Sequence, residues 1–184
     1  GLPVLTTRFD GAADHVRHGQ TGFVLGSPDD LEALAAAMPD GRAAVVESAA
    51  HWCQLEAAAA VLPRLRDITG ESVQLYRRDA GDPTVRVCVA AAERPSGLRD
   101  TIPVGSLMSM DAGSAAQILL AWEDSDKIRR SLAHSSFSAV TLAAVRKRGW
   151  AQSVGEREQG IASVSAAVRS PSDKVIAGVS VSGP

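Results

Sequence analysis

Cysteine is nearly absent: the 184 residues hold two, Cys53 and Cys88. They are far apart, with neither a Cys-x-x-Cys pair nor a Cys/His metal spacing, which argues against a disulfide framework and a zinc site. Both read as reduced and buried. His15 and His18 stand three residues apart but lack a third ligand, so they read as a solvated helical face and no metal is expected. No apolar run reaches the roughly 18 residues that span a bilayer, and the opening Gly1-Leu-Pro-Val is not a signal peptide. No membrane partner and a cytoplasmic location are therefore expected. The chain also lacks an excess of one charge: the formal net charge is −2 and the sequence pI about 6.1. This gives no global pull toward nucleic acid, so any DNA contact would need a local basic patch or an attached piece. Walker-type phosphate loops are missing. Ser114 follows a glycine, but Ala112-Gly-Ser-Ala-Ala116 lacks the second glycine of a nucleophile elbow, and His134 has no assignable orienting acid. Neither catalysis nor a cofactor is expected.

What the chain does have centres on Val104–Ala121, where an extended apolar run meets a small-residue turn and opens an apolar helix. A helix that begins at Ala112-Gly-Ser-Ala115 lets another atom approach its free N–H groups, because small side chains leave the way open. Such a start suits a carboxylate or phosphate, or it only allows tight packing on a sheet.

Ahead of it, Pro3–Thr7 and Thr21–Gly26 read as short strands, and Ser27-Pro-Asp-Asp30 starts a helix through Met38. Pro39-Asp-Gly41 ends that unit, giving an N-terminal appendage over residues 1–40. An Ala-rich linker helix over 41–61 follows, which Pro63 should kink or restart. Ser72–Arg77 and Val85–Ala90 alternate as a hairpin, with Val85, Val87 and Val89 on one face and Arg86 and Cys88 on the other. Leu98–Val104 reads as a further strand. Asp124 caps a short helix to Leu132, and Ser138 starts another that Gly149 ends. Arg146-Lys-Arg148 at its end complements the helix dipole rather than marking a nucleic-acid patch.

After the extended Trp150–Val154 and a charged turn at Gly155–Gln159 come two strands, Gly160–Arg169 and Lys174–Gly183. In the first, Ala162, Val164 and Ala166 share one face, and Ile161, Ser163 and Ser165 the other. In the second, Val175, Ala177, Val179 and Val181 oppose Ile176, Gly178, Ser180 and Ser182. Each strand thus turns a row of serines to one side. These rows read either as a solvated outer face or as a cup of hydroxyls facing Gly113-Ser-Ala115, able to bind a small polar or acidic ligand.

Leu65-Arg-Asp-Ile-Thr-Gly-Glu-Ser-Val-Gln-Leu-Tyr76, Val104-Gly-Ser-Leu107, Ala112-Gly-Ser-Ala-Ala-Gln117, Val145-Arg-Lys-Arg-Gly-Trp150, Gly155-Glu-Arg-Glu-Gln-Gly-Ile-Ala-Ser-Val-Ser165 and Val179-Ser-Val-Ser-Gly-Pro184 occur in order. Together they resemble the effector-binding domain of IclR-type transcription regulators over residues 62–184, most of all the NdgR-type subgroup tied to amino-acid metabolism. The resemblance implies an α/β (α+β) GAF-like domain, a central antiparallel or mixed sheet flanked by helices. It also implies a small-molecule effector, a homodimer or homotetramer, and DNA contact through an attached winged helix-turn-helix.

By position it places the pocket wall on Met108, Ser114, Ala115, Ser153, Ile161, Ser163, Ser180 and Ser182. Asp111 stands where the family often has His or Thr, as a carboxylate at the helix cap, and Ser153 replaces an acidic residue. A neutral or zwitterionic, amino-acid-like effector is expected. The family continues past the position of Pro184 into a terminal helix that covers the sheet.

Through Gly1-Leu-Pro-Val4, Val16-Arg-His-Gly-Gln-Thr-Gly-Phe-Val24 and Ser27-Pro-Asp-Asp-Leu31, residues 1–38 resemble part of the nucleotide-binding half of family 4 GT-B glycosyltransferases, without the paired glutamates that precede this stretch there. Phe23-Val-Leu-Gly26 with Leu31, Leu34 and Ala35 resembles the wing strand and first linker turn after a winged helix. A glycosyltransferase fragment acting on a nucleotide sugar is the alternative function.

Overall fold

The computed structural model describes residues 4–7, 22–25, 42–79, 81–97 and 100–184, with side chains from residue 55 onward. The histidines at 15 and 18 and the helix expected after Ser27 lie outside the described residues, as does the side chain of Cys53. The chain divides into two compact units, residues 1–52 and 53–184. In the first, β1 (Val4–Thr7) and β2 (Gly22–Leu25) form a parallel pair. Both extended runs read from the sequence are therefore strands.

A helix, α1 (Arg42–Thr69), leads into the second unit. Pro63 sits inside this single helix instead of starting a new one. Its ring takes away one intrahelical N–H bond, yet Leu62 beside it is buried, with Leu55, Ala58, Ala59 and Leu65 packed around the same cluster. Contact with the sheet outweighs the local preference.

Six strands make one sheet: β3 (Ser72–Arg78), β4 (Val85–Ala92), β5 (Leu107–Ser109), β6 (Trp150–Val154), β7 (Ala162–Arg169) and β8 (Val175–Gly183). Their order is β5-β4-β3-β8-β7-β6, and every neighbouring pair is antiparallel. Of the strand expected over 98–104, residues 100–103 are irregular, and Leu107–Ser109 pairs with β4. Pro103 has no N–H to give a ladder, and Gly105 turns the chain at φ +90°, a conformation other residues seldom adopt. Gly105 N–H still bonds the Cys88 carbonyl at 2.8 Å, and Ser106 accepts from Cys88 N–H at 3.0 Å.

One face of the sheet carries Val73, Leu75 and Ala177 against α1. The other carries Tyr76 and Cys88 beneath α2 (Ser114–Leu120), α3 (Ser125–Leu132) and α4 (Ala139–Arg148). The hairpin faces read from alternation hold for Cys88, which is buried in this second cluster, and for Val89, which packs with the first. Alternation misplaces Val175, which joins Tyr76 and Cys88 instead of Ala177. The register slips between Val168 and Arg169, so that they face Ala177 and Val175 with Ile176 bulged out, and a bulge reverses every face beyond it.

The helix ends follow their local chemistry. Asp124 accepts from Lys127 N–H at 2.9 Å, Ser138 and Thr141 form a capping box, and Gly149 ends α4. Of the basic cluster, Arg146 donates to the Ala121 carbonyl at 2.7 Å and Arg148 lies over the Trp150 ring. Among the described residues no helix is long and apolar enough to cross a membrane.

All seven residues of α2 are buried, and Gly178 lets the sheet approach so closely that a Cβ there would meet Ile118 Cγ2 at 3.2 Å. Ile118→Ala should therefore cost about 2–5 kcal/mol in urea unfolding. The exposed Val140→Ala on α4 should stay within about 0.5 kcal/mol of the parent.

Candidate functional site

The inner face of the sheet turns polar opposite the start of α2. β7 and β8 pair so that Ser163 faces Ser182 and Ser165 faces Ser180, while β6 sets Ser153 against Ser163. The two serine rows thus point toward α2, as the cup reading requires. Ser114 Oγ is hydrogen-bonded to Ser163 Oγ and to Ser165 Oγ, each at 2.7 Å, and Ser153 Oγ lies 3.1 Å from Ser163 Oγ. Ser182 donates to Gln74 Oε1 at 3.0 Å, and Gln74 Nε2 donates to the Asp100 carbonyl at 3.2 Å.

Between these groups lies a cavity of about 20 Å³, room for about one water molecule. Ser114, Ala115, Ser163, Ser180 and Ser182 line it, five of the eight residues picked out from the sequence. Ser153 joins them only through Ser163. Met108 lies apart, half-buried across the ladder from Arg86 and packed with the Tyr76 cluster. Ile161, also half-buried, closes the turn before β7 by accepting from Gly155 N–H at 2.9 Å.

Gly113 at the helix start also lines it, and the remaining four residues, charged or aromatic, were not picked out: Tyr76, Arg86, Asp100 and Arg157. Arg157 pairs with Asp100, whose side chain is 5% exposed. Arg86 is 3% exposed, sits 5.5 Å from the centre of the Tyr76 ring and donates from Nη1 to the Ser109 carbonyl. Burial pulls its guanidinium down to about 10 and pushes the Tyr76 phenol well above its ordinary value. At neutral pH Arg86 is therefore a cation and Tyr76 a neutral hydroxyl. For Arg86 a sequence signal existed, since it shares a strand face with the buried Cys88. Asp100 and Arg157 are 57 residues apart, beyond any local pattern.

The start of α2 is held by a different carboxylate from the one expected. Its cap is Gly113, at φ +91°, with no side-chain cap, and Asp111 stands two residues earlier. Asp111 takes part there through its backbone: its N–H donates to Ser109 Oγ and its carbonyl accepts from Ser136. Glu156, from the turn between β6 and β7, accepts from Gly113 N–H at 3.0 Å, from Ser136 Oγ at 3.0 Å and from Gln117 Nε2 at 3.1 Å. The charged turn read at 155–159 thus reaches back across the sequence and takes the place assigned to Asp111.

No imidazole or carboxylate bonds Ser114 Oγ among these contacts, which leaves the hydroxyl without a base. A larger cleft of about 510 Å³ lies between Arg78 and α3. Within it Arg78 and Lys127 both pair with Glu123.

A family model described as "Bacterial transcriptional regulator IclR C-terminal" matches residues 54–184. A putative IclR-family transcriptional regulator from Rhodococcus sp. is 30% identical over 68% of this chain and 51% of its own, with a TM-score of 0.60. Thermotoga maritima IclR is 22% identical over 71% of this chain and 57% of its own, with a TM-score of 0.62. The inducer-binding domain of Acinetobacter PobR, solved as a double mutant with 3-hydroxybenzoic acid, is 19% identical over 70% of this chain and 81% of its own, with a TM-score of 0.58. The last two show likeness of fold alone. The chain spans about half the length of the first two proteins. No curated protein matches it. Nothing in these likenesses supports a glycosyltransferase.

Because the buried Ser114 holds two hydroxyls, Ser114→Ala leaves buried groups short of a partner and should cost about 1–3 kcal/mol in urea unfolding.

Proposed function

The chain belongs to the IclR family of bacterial transcriptional regulators, as a carrier of its C-terminal, GAF-like effector-binding domain, and from this we propose that residues 62–184 sense a small metabolite and bring protomers together. A homodimer or homotetramer then transmits the ligand state to DNA through an attached winged helix, within the cytoplasm. The domain binds and does not catalyse. Residues 1–40 act as a separate appendage, and the part of α1 up to residue 61 links it to the sensor. The observation that carries this reading is the hydroxyl-lined cavity between α2 and the paired rows of β7 and β8. Serine hydroxyls both donate and accept, so they suit an effector with mixed polar groups, such as an amino-acid-like molecule.

At about 20 Å³ the cavity admits such a molecule only if part of its wall moves. The wall with the fewest apolar anchors is the Glu156–Arg157 turn, held by charged hydrogen bonds to Gly113 and Asp100. In PobR the domain of this architecture holds 3-hydroxybenzoic acid, which supports an effector of that size.

A metabolite that fills the cavity stabilises the folded chain by mass action, about 2.7 kcal/mol at a hundred times its dissociation constant. A thermal-shift screen should therefore find compounds that raise the midpoint, and Ser163→Trp and Ser180→Trp should abolish the rise. An unchanged response in both variants overturns the pocket.

A further inference from the structure

We propose that Arg86 is the carboxylate receptor of this cavity, so that the effector is a small monocarboxylic acid whose remaining oxygens or nitrogen meet the serines. This rests on the effector-pocket reading above and narrows its chemistry. Arg86 lines the cavity with only 3% of its surface exposed. Its guanidinium makes one hydrogen bond among the described residues, from Nη1 to the Ser109 carbonyl, and Nε has no partner at all. No carboxylate lies within 4.0 Å of it among the described residues, and Asp111 acts on it only from farther away. The one carboxylate in the lining, Asp100, is already engaged by Arg157.

An isolated buried cation is costly, and proteins keep one where something else supplies the counter-charge. The face of Tyr76 offers a partial substitute, 5.5 Å away, weaker than an ion pair. The guanidinium lies at the start of α2: a Cβ on Gly113 would be in ordinary contact with Arg86 Nη2, at 3.6 Å.

Chemistry and charge select the ligand. A guanidinium presents parallel N–H donors that match the two oxygens of a carboxylate, a fit an ammonium or a neutral amide does not reproduce. The lining contributes two guanidiniums and one carboxylate, and Asp111, outside the lining, offsets part of the Arg86 charge, so the balance stays on the positive side. A monocarboxylate supplies the direct ion pair that Arg86 lacks, a neutral ligand does not, and a dicarboxylate overshoots. Burial lowers the Arg86 guanidinium to about 10, still charged across the physiological range. α-Amino and α-hydroxy acids both supply the carboxylate and differ only in the group offered to the serines.

The test uses the full 184-residue chain with L-valine, 2-hydroxy-3-methylbutanoate, L-lactate and 3-hydroxybenzoate, each beside its primary amide, in thermal-shift and calorimetric titrations. At least one acid should bind, with its amide weaker by about ten- to a hundred-fold. Binding by L-valine and not by its hydroxy analogue marks an amino acid as the effector class, and the reverse marks a hydroxy acid. Arg86→Lys should weaken the acid by about tenfold or more, because the fork is lost while the charge stays, and Arg86→Gln should erase the preference for acid over amide.

Arg86→Met removes the unpaired charge, so its unliganded midpoint should equal or exceed that of the parent while its acid response disappears. A lowered midpoint with the acid response intact makes Arg86 a structural residue and overturns the proposal. Equal binding of acids and amides, or stabilisation by none of the acids, overturns it as well. If amides bind and Ser163→Trp stops them, the pocket stands and only its carboxylate chemistry falls.

Discussion

A seven-residue helix with every side chain buried is the constraint around which the domain is arranged. So short a helix has no stability of its own in water, and its first N–H and last C=O groups have no partners within it. Because those ends are surrounded by protein, other segments must satisfy them. Glu156 accepts from Gly113 N–H and Gln117 Nε2 at one end, while Arg78 donates to the Leu119 carbonyl at 2.8 Å and Arg146 to Ala121 at the other. An anion at the N-terminus and cations at the C-terminus are also what the helix dipole favours. The helix is held by charges drawn from β3, α4 and the turn before β7, so the order of the sheet and the seating of α2 depend on each other.

The two faces of the sheet answer this constraint differently. Against α1 the side chains are apolar, and area removed from water suffices. Against the start of α2 they are hydroxyls and amides, and each must find a partner because water is excluded. Ser153, Ser163, Ser114 and Ser165 do so as a chain of hydroxyls, and Ser182, Gln74 and Asp100 as a second one. Arg86 Nε and Gln117 Oε1 are the exceptions. A polar layer this well satisfied elsewhere makes an unpaired guanidinium within it more telling than the same group would be in a loosely paired surface.

Periodicity alone was enough to show the serine rows, since strict alternation over β7 and β8 leaves two possible faces and the helix start supplies a reason to choose one. Helix caps at Asp124, Ser138 and Gly149 were equally legible, because each depends on residues within one turn. The misses share a physical cause, which is that the deciding contact is remote or the register irregular. Glu156 reaches Gly113 across 43 residues and takes the place expected of Asp111. Asp100 meets Arg157 across 57, and Val175 changes face at a bulge that no residue type announces. Pro63 remains within α1 because burial of Leu62 and its neighbours outweighs a lost backbone bond. Arg86 stood in view on the Cys88 face, yet a charged residue in an edge-side hairpin reads as solvated until β5 and α2 are placed over it.

Glu156 and Arg157 give the polar layer a direction. Adjacent in one turn and opposite in charge, they reach to different places: Glu156 to the start of α2 and to Ser136 just before α4, Arg157 to Asp100 in the segment after β4. Three stretches distant in sequence are therefore fastened at one point. Hydrogen bonds to charged groups contribute about 1.5–3 kcal/mol each, the same scale as a typical coupling free energy between two sites, about 1–3 kcal/mol. Displacing the turn from Asp100 without also disturbing Glu156 would require the backbone between neighbouring residues to absorb the whole movement. The wall of the cavity and the footing of α2 are therefore tied through two adjacent residues, Arg157 at Asp100 and Glu156 at Gly113 and Ser136.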